Sequence, residues 1–137
     1  MNEVVIYCDG GSRGNPGEAA YGFVVFNVHK EQIYSEGKRV GINTNNYAEY
    51  SAVVNALKYV STLEKKPSTI NFFLDSMLVV EQLSGKWKVK SESLRDLYHT
   101  VKTLEMSLKA KIKYQHVPRE QNKEADRMVN LALDNLI

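Results

Sequence analysis

Val4-Val5-Ile6-Tyr7-Cys8-Asp9-Gly10-Gly11-Ser12-Arg13-Gly14-Asn15-Pro16-Gly17 runs from an apolar stretch through an acid into a glycine-rich tail. Val4 to Cys8 is β-branched and aromatic, which predicts a strand. Both of its alternating faces are apolar, as in a central strand covered on each side. Asp9 then stands at the strand's C-terminal end, where open α/β sheets build their sites. Four of the chain's eight glycines fall in Gly10–Gly17. Such a loop lets another backbone approach closely. Taken alone, the stretch also fits a turn with a capping Asp, so the rest of the chain must decide.

Outward from this stretch, Ala20–Val28 predicts a second strand and Glu31–Val40 a third, with Gly37 at a bulge. Short connections make the three an antiparallel meander. Asn43-Thr44-Asn45-Asn46 supplies turn and N-cap residues for a helix from Tyr47 to Leu63. Thr69–Asp75 is a fourth strand, again apolar on both faces and ending in Asp. Helical sequence resumes over Ser76–Leu83, is stopped by Gly85, and returns over Ser93–Leu108. Lys111–Val117 alternates like an edge strand with one wet face, Ile112, Tyr114 and His116 sharing the other. Pro118–Gln121 is a loop, and Asn122–Leu136 the last helix. The order β-β-β-α-β-α-α-β-α predicts an α/β protein, a mixed sheet with helices on both faces.

The 137 residues suit one domain, 1–137, and an apolar fraction of 43% suffices for a core. No apolar run is long enough for a membrane span, and Met1-Asn2-Glu3 lacks the pattern of a secretory leader. The single cysteine, Cys8, excludes an internal disulfide and a cysteine-built zinc site. A cytoplasmic protein is expected. A net charge of +2 is too mild to identify a nucleic-acid binder. Locally, Lys86, Lys88 and Lys90 alternate with Trp87 and Val89. That segment fits either a phosphate backbone or a solvated loop.

Four acids fall where charges do not belong. Glu49 is in helical register with Ala52, Val53, Ala56, Val60 and Leu63, so it points inward near its helix N-terminus. Asp126 is in register with Val129, Leu133 and Leu136. Asp9 and Asp75 end the two most buried strands. Each could be capped or paired separately. Converging, they would repel one another unless a cation sat among them. An oxygen-only set suits Mg²⁺ or Mn²⁺.

Asp9-Gly10-Gly11-Ser12 with Asn15-Pro16-Gly17, Thr44-Asn45-Asn46-Tyr47-Ala48-Glu49-Tyr50, Asp75-Ser76 and Asn122-Lys123-Glu124-Ala125-Asp126 resemble, in order, the four signature segments of type 1 ribonuclease H. The resemblance covers nearly the whole chain. It implies a five-stranded sheet of order 3-2-1-4-5 and hydrolysis of the RNA strand of RNA/DNA hybrids, leaving 5′-phosphate and 3′-hydroxyl ends. It implies two divalent ions per site, Mg²⁺ or Mn²⁺. On that reading Asp9 bridges both, Glu49 and Asp75 hold the ion on the leaving-group side, and Asp126 holds the other. Asn15, Asn45 and Asn46 match positions facing the minor groove and the 2′-hydroxyls. Thr44 matches a position holding a DNA phosphate. Helix capping explains Thr44, Asn45 and Asn46 as well. Gly10, Gly11, Ser76, Lys86, Trp87 and Lys88 complete the substrate-binding candidates.

The sequence departs from the family's pattern twice. Ser84–Leu94 is too short for the basic protrusion of many members, so the chain resembles compact ones. The loop before Asp126 holds no His. His116 falls in the strand pattern, and Arg119 is the candidate for the loop role at the scissile phosphate. His29 and His99 read as surface residues. The expected protein is a monomer acting on RNA/DNA hybrid, with double-stranded RNA a second candidate partner and no membrane partner. The competing readings are a binding module for hybrid or double-stranded RNA with weak catalysis, and another nuclease of the fold, such as a junction resolvase or 3′–5′ exonuclease.

Overall fold

The computed structural model describes residues 2–137. A five-stranded sheet of order β3-β2-β1-β4-β5 forms its centre, as the resemblance implies. The strands are β1 (Glu3–Arg13), β2 (Gly17–Phe26), β3 (Gln32–Asn43), β4 (Thr69–Leu74) and β5 (Lys111–His116). The helices are α1 (Asn45–Thr62), α2 (Met77–Leu83), α3 (Glu92–Leu108) and α4 (Lys123–Leu133), with a short 3₁₀ turn at Arg119–Gln121 before α4. β2 is antiparallel to β1 and β3, whereas β1, β4 and β5 run parallel. Among the described residues no helix is long and apolar enough to cross a membrane.

The two apolar strands earn their central place by burying alternate residues against α1. Val4, Ile6 and Cys8 of β1 and Ile70, Phe72 and Leu74 of β4 are fully buried, packed with Val53, Leu57 and Val60 of α1. Burial of such side chains contributes roughly 1.5–3 kcal/mol each. α4 covers the opposite face, where Val129, Ala132 and Leu133 meet Ala20 of β2.

Five expectations are corrected. Asp9 does not end its strand. β1 continues to Arg13 because Gly10–Arg13 pair with Glu18–Tyr21 of β2, so most of the glycine-rich tail is one arm of a hairpin. Gly37 is not a bulge: it pairs with Gly22, and the register shifts lie between Ala19 and Ala20 and between Val25 and Phe26. Its lack of a side chain serves packing instead, since a Cβ there would sit 2.5 Å from the Met128 carbonyl oxygen of α4. β2 stops at Phe26, leaving Val28 exposed, and α4 stops at Leu133, leaving Leu136 exposed. β4 likewise ends at Leu74, one residue before Asp75.

Candidate active site

The parallel pairing of β1 with β4 stops at Cys8 and Leu74, and the residue that follows each in the chain is an aspartate. Past that point β1 has no β4 neighbour, and Glu49 fills the gap. Its Oε1 accepts the Gly10 N–H at 3.0 Å and its Oε2 accepts the Ser76 N–H at 2.9 Å. One carboxylate thus takes up two backbone donors that a longer β4 would have left to the ladder. Gly10 permits this approach: a Cβ there would lie 2.1 Å from the Glu49 nitrogen. Gly10 is therefore a packing surface for α1 as well as part of the cleft.

Carboxylate oxygens of Asp9, Glu49 and Asp75 lie within 4.8 Å of one another. Asp126 arrives from the first turn of α4 and comes within hydrogen-bonding reach of Asp9. It is half-buried rather than core-facing, because its side chain borders an open cleft of about 430 Å³. Asp9, Asp75, Asp126, Gly10, Gly11, Asn45 and Arg119 all line that cleft. Glu49 stands behind them, 2% exposed.

This crowding has an electrostatic signature. Burial, with the charges of Asp75 and Asp126, pushes the Asp9 carboxyl up to about 8. Burial and the charges of Asp9 and Asp75 hold Glu49 well above the usual carboxylate range, against the opposing Ser76 N–H. Asp75 is raised by burial, with Asn122 and the Arg119 guanidinium pulling the other way. An oxygen-only cluster that resists ionisation wants a hard divalent cation, so the donor set fits Mg²⁺ or Mn²⁺.

Asn15, Asn45 and Asn46 are held by a common device, and of the three Asn45 alone lines the cleft. Asn15 Oδ1 accepts the Asn45 N–H at 3.0 Å, Asn45 Oδ1 accepts the Ser12 N–H at 2.7 Å, and Asn46 Oδ1 accepts from the Ser76 hydroxyl at 3.1 Å. Thr44 is the N-cap of α1 and Ser76 that of α2, each hydroxyl accepting a first-turn N–H. Thr44 does not line the cleft. Lys86, Trp87 and Lys88 border a separate groove of about 510 Å³ with Arg95, Tyr98 and His99. His116 closes β5 opposite Leu74 and is exposed rather than packed with Tyr114. His29 and His99 are exposed, as expected.

The sequence reading missed two residues. Ser12 anchors Asn45 through its backbone N–H and its hydroxyl. Asn122 sits at the N-cap position of α4 but makes no capping bond. It is 1% exposed and donates to the Cys8 carbonyl at 2.8 Å. The sequence places it only as the first residue of the last helix, and no local signal marks this use.

A sequence profile of the RNase H family matches residues 1–134. The chain belongs to the RNase H family. Its likeness is to type 1 members, and with only residues 84–91 between α2 and α3 it has their compact form. It is 43% identical over 133 residues to the bifunctional protein Rv2228c of Mycobacterium tuberculosis, covering 96% of this chain and 36% of that protein. The chain thus spans about a third of the length of that curated relative. It is 34% identical over 152 aligned positions to a ribonuclease H of Clostridium botulinum, covering 98% of this chain and 97% of that one. The fold matches the crystal structure of LC11-RNase H1 in complex with RNA/DNA hybrid at a TM-score of 0.92 and 32% identity, over 97% of this chain and 98% of that one.

Proposed function

We propose that residues 1–137 form one catalytic domain that hydrolyses the RNA strand of RNA/DNA hybrids, leaving 5′-phosphate and 3′-hydroxyl ends. Membership of the RNase H family supports an RNA-cleaving hydrolase, and the hybrid bound to LC11-RNase H1 supports the substrate class. The observation that carries the reading is the meeting of Asp9, Glu49 and Asp75, with Asp126 beside Asp9, in a cleft framed by Asn45. Asp9 would be shared by two divalent ions, with Glu49 and Asp75 on one and Asp126 on the other. Bound Mg²⁺ or Mn²⁺ supplies charge stabilisation for the attacking and departing oxygens of an in-line phosphoryl displacement.

The chain's own residues do the rest. Glu49 is locked by two backbone donors, so the ligand set needs little reorganisation. Arg119 brings a permanent positive charge to the cleft beside Asp75, placed to assist at the scissile phosphate or in product release. Asn15, Asn45 and Asn46 read the groove beside the cut. Thr44 and the N-terminus of α1 offer donors for a phosphate of the DNA strand, and Lys86, Trp87 and Lys88 extend the contact. The protein acts as a monomer.

The test is cleavage of end-labelled RNA/DNA, RNA/RNA and DNA/DNA duplexes of one sequence, in Mg²⁺ and in Mn²⁺, beside an Asp9→Asn control. The hybrid should be cut on its RNA strand and the control should be silent. DNA/DNA cleavage as efficient as hybrid cleavage would place the activity in another branch of the fold. Cutting of RNA/RNA would add double-stranded RNA to the substrates.

A further inference from the structure

Gln82 lies on α2, between the helix that carries Glu49 and the basic segment, and is 4% exposed. A buried carboxamide must satisfy both its ends. Its Oε1 accepts from the Tyr50 hydroxyl at 2.7 Å, and its Nε2 donates to the Lys88 carbonyl at 3.3 Å. The Lys88 carbonyl can only accept, so the amino end must face it and Tyr50 must donate. Tyr50 is fully buried and follows Glu49 directly in α1. An unbroken chain of hydrogen bonds therefore links the helix carrying an active-site acid to the backbone of a segment with no regular secondary structure.

Other bonds fix that segment too. Gly85, at φ +81°, turns the chain out of α2. The Lys86 and Trp87 N–H groups both donate to the Glu81 carbonyl, at 2.9 and 3.2 Å. Arg95 Nη2 donates to the Lys90 carbonyl at 3.3 Å. Trp87, 48% exposed, is thus held out on a fixed backbone between two lysines, along an open groove. Such an element binds a sugar–phosphate chain without first having to be ordered.

We propose that Gln82 is a positioning residue for hybrid binding. Through Tyr50 and Lys88 it sets where Lys86, Trp87 and Lys88 stand relative to the acids, and so governs affinity rather than the chemical step. This rests on the reading of that segment as part of the hybrid interface.

A double-mutant cycle separates the two. Binding of a fluorescent RNA/DNA hybrid is measured with Asp9→Asn protein, which holds substrate without cutting it. Steady-state kinetics and melting are measured on the same changes made in the active chain. Trp87→Ala and Lys88→Ala should each weaken binding. Gln82→Glu keeps the acceptor for Tyr50 and removes the donor to Lys88, and Gln82→Met replaces the amide by an apolar chain of similar size. Each should raise Kd and KM about fivefold with kcat unchanged. In either background Trp87→Ala should cost clearly less than in the parent, because the indole is no longer held in place. If Trp87→Ala and Lys88→Ala leave Kd unchanged, the interface reading itself fails. If they weaken binding but their cost is the same with and without Gln82, the interface stands and the positioning role is overturned. A fall in kcat at constant Kd overturns it as well. Failure of both Gln82 variants to fold makes Gln82 a core residue and overturns the positioning role.

Discussion

Asn122 donates its side-chain amide to the Cys8 carbonyl at 2.8 Å, joining the entry to the last helix to the strand residue just before Asp9. The same nitrogen lies 3.5 Å from Asp75 Oδ2. One buried side chain thus touches β1 and Asp75 and precedes the helix that carries Asp126. Asn122→Ala would leave a buried carbonyl unpaired. The expected loss is about 1–3 kcal/mol of unfolding free energy, together with weaker Mg²⁺ binding by calorimetry. Unfolding curves identical to the parent's would remove Asn122 from the account.

The repulsion among the acids makes the metal-free protein sensitive to pH. Folded Asp9 keeps its proton up to about 8, whereas the ordinary value is 3.8. Between those values the folded state binds the extra proton, so this contribution is complete at acid pH and fades as pH rises. Glu49 and Asp75 are shifted in the same direction. Without metal, the melting temperature should fall as pH is raised from about 4 to about 8, and Mg²⁺ should restore it at the alkaline end. Asp9→Asn should abolish cleavage and flatten the pH dependence, leaving metal-free protein at least as stable as the parent at pH about 8. A large drop in melting temperature for this variant would give Asp9 a structural role instead.

How much of this was legible in the chain differs from residue to residue. Strand and helix order follow from local signals: β-branched runs in β1 and β4, helical steps around Glu49, the Thr44 cap. Those signals place Glu49 inward. They cannot say that its carboxylate completes a sheet ladder, because that depends on β4 stopping opposite Cys8. The close backbone approach expected of the glycine-rich stretch is found at Gly10, but Gly10 and Gly37 misled as to strand geometry for one reason. Glycine reads as a break in a strand, but here each is a strand residue stripped of its side chain so that a helix can come close. Asp126 was in register with the apolar face of α4, yet that face overhangs the cleft at its first turn.

Among the described residues, Arg119 is the one cation lining the cleft besides Arg13. It sits in the 3₁₀ turn that leads into α4. A charge acting on the reacting phosphate should matter more to turnover than to binding. Arg119→Ala is expected to lower kcat by about tenfold or more and to change hybrid affinity less. An equal loss of affinity with kcat intact would make Arg119 a phosphate contact, and no change in either would return it to the solvated surface.

A hybrid-specific nuclease must tell its RNA strand from DNA. Every nucleic acid offers phosphates to a metal site, so selection must come from the groove. An amide can in principle offer a donor and an acceptor to a 2′-hydroxyl. Here one acceptor position of each amide is already engaged: the Oδ1 atoms of Asn15, Asn45 and Asn46 accept from Asn45 N–H, Ser12 N–H and the Ser76 hydroxyl. These bonds orient the amides, and their amino groups, which make no bond among the described residues, are the ends turned free for a substrate. They suit the oxygen of a 2′-hydroxyl and the acceptor atoms of the minor groove, which every base pair presents there, so such contacts would carry little base preference. Asn45→Asp keeps the bond to Ser12 and replaces the outward donor by a second acceptor facing the RNA. It should therefore cut hybrid cleavage more deeply than Asn45→Ala, which loses the contact without adding repulsion. A single 2′-deoxy substitution beside the cut should suppress cleavage there in the parent and matter less in Asn45→Ala. Both are read from cleavage ladders of end-labelled hybrid. Equal rates for the Asp and Ala variants would mean that the amide faces the substrate with its oxygen, or not at all.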